Sequence, residues 1–131
     1  MVNTERKLVR DAENTVRCIF GELGAVSLSR RTEPLAGKQQ CDLVLKVKSV
    51  EAQFQIGMDA KSRITPQTAI SVCERMTRLQ GDVIPAVFAP VISPRVAEIL
   101  GQYGVGYVDQ AGNCYLRSAR HHVLIDRRGN K

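Results

Sequence analysis

"FQIGMDAKSR", residues 54–63, opens as an apolar strand and then sets an aspartate and a lysine one residue apart, ahead of Ser62 and Arg63. Side chains of a strand leave alternately to its two faces, so residues two apart emerge together. Phe54, Ile56 and Met58 therefore take one face, and Gln53, Gln55, Gly57, Asp59 and Lys61 take the other. A carboxylate beside an ammonium is a workable hydrolytic pair. The carboxylate can bind a divalent metal, and the lysine can orient or activate water or offset charge on a transferring phosphate.

One carboxylate makes a weak Mg²⁺ site, because this ion takes one or two carboxylates together with substrate oxygens and waters. Asp42, about 17 residues upstream at the start of the preceding strand, is the second candidate. That spacing suits neighbouring strands of a hairpin with a short turn. An acid-x-Lys triplet alone is weak, since chance supplies about one in a chain of this composition. Glu5-Arg6-Lys7 is another, and it falls on a helix. The context is what singles out Asp59 and Lys61.

Outward from this strand the pattern alternates. Leu8, Val9, Ala12, Val16, Ile19 and Phe20 recur at helical spacing from about Thr4 to Glu22, with Gly21 and Gly24 closing the helix. "AVSLSR" reads as a short strand, residues 30–40 as a polar loop, and "CDLVLKVKS" as a strand that pairs with "AQFQIGMDAKS". Thr65-Pro66 predicts a helix start, and the helix buries Ala69, Val72, Cys73, Met76 and Leu79. "DVIPAVFAPV" reads as a strand covered on both sides. Ser93-Pro94 opens a helix ending near Tyr103, and short strands follow around "GVGYVD", "NCYLR" and "HVLID", with Gly112-Asn113 turning between the first two. The expected fold is α/β (α+β): an αβββαβ core over about residues 5–92 with a mixed central sheet flanked by helices, and a C-terminal αβββ extension over about residues 93–131, all in one domain.

Composition narrows the partners. The 131 residues carry a net charge of +6 and a pI near 9.5, which favours a polyanion, nucleic acid first and a membrane surface second. Aromatic residues make up 5% with no Trp, which argues against a single-strand binder that works by stacking bases. Cys18, Cys41, Cys73 and Cys114 stand singly, without a CxxC or Cys/His cluster. They read as reduced, mostly buried thiols of a cytoplasmic protein rather than zinc ligands. No signal peptide or membrane span is recognisable.

"CDLVL" followed by "FQIGMDAKSR" resembles the two core motifs of the PD-(D/E)xK nuclease superfamily, the restriction-endonuclease-like fold. The αβββαβ order matches that family's core, and "AENTVRCIFGELGAVSLSR" is similar in pattern to the first helix and strand of archaeal Holliday-junction resolvases. The resemblance covers about residues 12–92. It implies Mg²⁺- (or Mn²⁺-) dependent, structure- or junction-directed cleavage of DNA, with Asp42, Asp59 and Glu13 as metal-binding and catalytic acids and Lys61 as the catalytic lysine. Cys41 stands where the family often has Pro, and Asp59 where Glu is more frequent. "SPRVAEILGQYGVGYVDQAGN" also looks like a segment of restriction-endonuclease-like domains, some of them attached to DNA-binding regulators. A homodimer is expected, because cutting two strands needs two active sites.

Each residue has a plainer reading beside this one. Asp42 suits a turn at a strand start, and Asp59 with Lys61 suits a surface ion pair. Glu13 lies at the edge of the apolar stripe, where a solvated position fits equally well. Glu5 is nearer the stripe's centre but in the fraying first turn. Gln67 is explained by first-turn polarity and Asp109 by the Gly-Asn turn. Arg30, Arg31, Lys38, Arg63, Arg75 and Arg78 are candidate nucleic-acid contacts, as are Arg117, Arg120, Arg127, Arg128 and Lys131 if they share a face. Adjacent His121 and His122 point to opposite faces of a strand and do not chelate together. The alternative function is a catalytically inactive nucleic-acid-binding module on the same scaffold, part of a larger regulator.

Overall fold

The computed structural model describes residues 2–24, 27–30, 41–50, 52–79, 82–121 and 123–129. Its elements follow the order read from the sequence: α1 (Val2–Glu22), β1 (Ser27–Arg30), β2 (Leu43–Lys48), β3 (Gln53–Ala60), α2 (Pro66–Met76), β4 (Val83–Ala89), α3 (Pro94–Gln102), β5 (Gly106–Asp109), β6 (Cys114–Ser118) and β7 (Val123–Arg127). Of the expected loop over residues 30–40, Arg30 ends β1, and residues 31–40 lie outside the described residues.

Local signals set the helix ends. Thr65 Oγ1 accepts from the N–H of Thr68 at 3.2 Å, and Thr68 Oγ1 accepts from the N–H of Thr65 at 2.8 Å. This reciprocal cap satisfies donors that the first turn leaves free. Ser93 Oγ accepts from Val96 N–H at 3.2 Å in the same way for α3. Gly21 belongs to α1 itself, and Gly24, at φ 84°, is where the chain turns away.

The seven strands form a single mixed sheet in sequence order, β1 to β7. Pairing is antiparallel from β1 to β3, parallel from β3 to β5, and antiparallel from β5 to β7. The C-terminal strands are therefore not an appendage. β5 lies beside β4 and carries the same sheet onward. β3-α2-β4 and β4-α3-β5 are successive crossover units progressing in one direction, so one handedness sets both helices on the same face.

The sheet lies between two apolar layers. On one side Ala12, Val16, Ile19 and Phe20 of α1 pack on Leu45, Ile56, Met58, Phe88 and Leu116. On the other, Ala69, Val72, Cys73 and Met76 of α2 join Val96, Ile99 and Leu100 of α3 over Val87 and Ala89. Full burial of a side chain such as Met76 or Leu100 contributes about 1.5–3 kcal/mol. β3 divides as expected, with Phe54, Ile56, Met58 and Ala60 in the α1 layer. Its other face holds a surprise for a side read as polar: Gly57 and Asp59 are buried there.

Candidate active site

The register Leu43↔Met58 between β2 and β3 places Asp42 opposite Asp59, one step beyond the end of β2. The two are tied directly. The Asp42 backbone N–H donates to Asp59 Oδ1 at 3.2 Å, and the N–H of Ala60 donates to Asp42 Oδ2 at 2.8 Å. Asp59 is fully buried, whereas Asp42 is exposed. Burial pushes the Asp59 carboxyl above its ordinary value, and the nearby charge of Asp42 adds to the rise. Arg75, Lys61 and the Asp42 N–H pull the other way without cancelling it.

Arg75 was a candidate phosphate contact with a solvated position as its plainer reading. It stands three residues after buried Val72, at the border of the helix's apolar stripe. From there its guanidinium reaches back and pairs with Asp59 Oδ2, while the side chain remains 43% exposed. Both oxygens of Asp59 thus have donors.

Lys61 follows β3 directly, and its backbone N–H donates to Phe88 O at 2.8 Å, extending the parallel ladder by one bond. Its half-buried side chain lines two clefts. The larger, about 780 Å³, is bounded by Arg6, Leu8, Val9, Arg10, Glu13, Asn14, Arg30, Asp42, Ala60 and Lys61. The smaller, about 290 Å³, is bounded by Lys61, Arg63, Thr68, Ser71, Val72 and Arg75.

Glu13 faces the same cleft as Asp42 and Lys61, as the helix-edge position allowed. Its carboxylate accepts from Arg17 at 2.8 and 3.0 Å and lies 3.8 Å from Arg30. Arg17 also donates to Leu28 O at 2.8 Å, so this group ties α1 to β1.

Of the other basic candidates, Arg30 and Arg63 line the clefts. Arg78 is exposed in the turn after α2, outside both. Arg31, Lys38 and Lys131 lie outside the described residues. Arg117, Arg120, Arg127 and Arg128 sit on or beside β6 and β7, at the far edge of the sheet from β1. There Arg120 pairs with Asp82 at 3.6 Å and Arg127 with Glu22. His121 bonds Asp82 and Ser118, each at 2.7 Å, and His122 is outside the described residues. Asp109 accepts from the backbone and side-chain nitrogens of Asn113 at 3.0 and 2.8 Å, a turn role as expected. Gln67 is exposed on the first turn of α2, and the Glu5 side chain is not among those described.

Sequence reasoning passed over Arg6, Arg10 and Asn14. Their i, i+4, i+8 spacing was the available signal, because it sets all three on one side of α1.

Carboxylate oxygens are the donor type of a hard divalent cation. Asp42 and Asp59 are the neighbouring carboxylates; burial first, and then the charge of Asp42, raises the Asp59 carboxyl, and Arg75 already supplies it with a cation. Among the described residues no three His, Cys, Asp or Glu side chains gather into a metal-binding group. Mg²⁺ takes one or two carboxylates together with substrate oxygens and water, and Asp42 and Asp59 are the two carboxylates that stand together here.

Comparison with protein-family models, curated proteins and solved structures gives no match. Among the described residues no helix is long and apolar enough to cross a membrane.

Proposed function

We propose that the chain is a metal-dependent DNA endonuclease of restriction-endonuclease-like fold, working as a homodimer. The observation that carries this reading is the cross-strand pair Asp42–Asp59, with Lys61 two residues on and bordering the same cleft as Asp42. The αβββαβ order and the mixed sheet are compatible with the fold.

Asp42 and Asp59 would hold the metal, which when bound supplies Lewis-acid polarisation of the phosphate and a more acidic water. Lys61 orients the attacking water and offsets charge gathering on the phosphoryl oxygens. Hydrolysis forms one bond from the water oxygen to phosphorus, with loss of a water proton, and breaks one bond to the leaving deoxyribose oxygen, which takes up a proton. Arg30 stands in the same cleft, where a flanking phosphate would pass.

The inactive binding module has one observation on its side. Arg75 already supplies Asp59 with a cation, as a site that never takes metal would. Incubating plasmid and branched DNA with Mg²⁺ or Mn²⁺ separates the two readings. The nuclease reading expects cutting by the native chain, loss of cutting in Asp42→Asn and Asp59→Asn, and retained DNA binding. Binding without cutting under every metal condition favours the module.

A further inference from the structure

Asp59 and Arg75 make an unequal pair. The carboxylate is fully buried, and backbone donors hold it in place. Its Oδ1 takes the Asp42 N–H at 3.2 Å, while Asp42 Oδ2 takes the N–H of Ala60 at 2.8 Å. The guanidinium pairs with Oδ2, yet 43% of the arginine side chain is exposed. Of the two partners, Arg75 is the one with room to move.

Its way out is open. Arg75 stands in the last turn of α2, where the carbonyls at the negative end of the helix favour a cation. It also borders the smaller cleft with Arg63, Thr68 and Ser71, open to water. A guanidinium turned away from Asp59 therefore keeps partners. The buried carboxylate does not, and it needs a second cation when the first departs.

Two cations on one carboxylate repel each other, and the repulsion is strong where water is excluded. A divalent ion shared by Asp42 and Asp59 thus competes with Arg75 for the same negative charge. We propose that Arg75 is a displaceable latch on Asp59. It neutralises the buried carboxylate while no metal is bound, and it swings toward solvent when a divalent cation takes over that task. The inference rests on the metal site of the nuclease reading and adds its regulation: Arg75 sets the metal concentration at which the site loads. It also accounts for an arginine on Asp59 in a chain that uses metal.

The test is calorimetric titration of the full chain with Mn²⁺, without DNA. The latch predicts that Arg75→Gln tightens Mn²⁺ binding by about 5–150-fold, the usual range of coupling between two binding events. Arg63→Gln removes an exposed cation of the same cleft that does not pair with Asp59, and it changes the affinity much less. Adding Asp59→Asn to Arg75→Gln abolishes the gain. A purely structural role for Arg75 gives no tightening. The native chain supplies a second readout: saturating Mn²⁺ speeds phenylglyoxal modification of Arg75, read by mass spectrometry, and leaves Arg95, paired with Glu98, unchanged. An affinity unmoved by Arg75→Gln, an equal gain in Arg63→Gln, or a gain that survives Asp59→Asn overturns the latch. Native Mn²⁺ binding that Arg75→Gln leaves unmoved and Asp59→Asn removes retains the metal site of the nuclease. Tightening in Arg75→Gln, with no cutting of plasmid DNA by the native chain, retains the latch and removes the nuclease. Absence of Mn²⁺ binding in both the native chain and Arg75→Gln overturns both.

Discussion

Arg75 of α2 closes an ion pair on the buried carboxylate of Asp59, the residue at the centre of the sheet's polar end. Helix and strand are thus joined through charge as well as apolar packing. The helix carries the partner, and the strand carries the group that would otherwise be buried without a cation.

Removing that partner has a direction that depends on pH. Arg75→Ala leaves buried Asp59 with one donor fewer, and the expected cost near neutral pH is about 1–3 kcal/mol. The Asp59 carboxyl is raised above its ordinary value of 3.8, so the folded chain holds this proton more tightly than the unfolded one. Stability from this group is therefore full below about pH 3.8 and lost as pH rises through the folded-state value. Asp59→Asn removes that loss. Urea unfolding from pH 3.5 to 8 checks both statements: the Arg75→Ala penalty fades toward acid pH, and Asp59→Asn declines less steeply than the native chain. Parallel profiles for native and Asp59→Asn protein contradict the account.

The proposed divalent metal would act on the same pair of carboxylates. Mn²⁺ or Mg²⁺ at about ten times its dissociation constant adds about 1.4 kcal/mol to stability by binding the folded state alone. A melting temperature that climbs with added metal in the native chain, and stays flat in Asp42→Asn and Asp59→Asn, is the expected result. An equal rise in all three proteins places the metal elsewhere.

The thiols divide by burial. Burial pushes the Cys73 thiol up to about 11 and Cys114 to about 12. Cys41 is pushed to about 11, by burial first and then by the neighbouring charge of Asp59. Thiolate is the reactive form, so these three resist alkylation at pH 8. Exposed Cys18 is expected to take up iodoacetamide first. Mass spectrometry of the folded protein should show one rapid adduct, at Cys18, and four only after denaturation.

Much of this was legible in the chain, for identifiable reasons. The strands and helices announced themselves through period-2 and helical patterns and through the capping pairs Thr65-Pro66 and Ser93-Pro94. The Asp42–Asp59 neighbourhood followed from hairpin spacing, because antiparallel pairing is settled locally. Burial of Asp59 did not follow. Gln53, Gln55, Gly57 and Asp59 read as the polar face of the strand, yet a β-carbon added at Gly57 would lie 3.0 Å from Leu79 Cδ1. The glycine makes room for the α2 layer, and local alternation carries no trace of that layer. The pairing of Arg75 with Asp59 did not follow for the same reason: the partner lies on a strand 16 residues away in another layer.

The most direct measurement is the single-turnover cleavage rate of a labelled duplex with Mg²⁺, at protein concentrations that saturate binding, for the native chain and for Lys61→Ala. The account predicts measurable cutting by the native chain and a fall of about 10²–10³-fold in Lys61→Ala with affinity changed only a few-fold. A native chain that binds the duplex and never cuts it, or a variant that cuts at the native rate, contradicts the account.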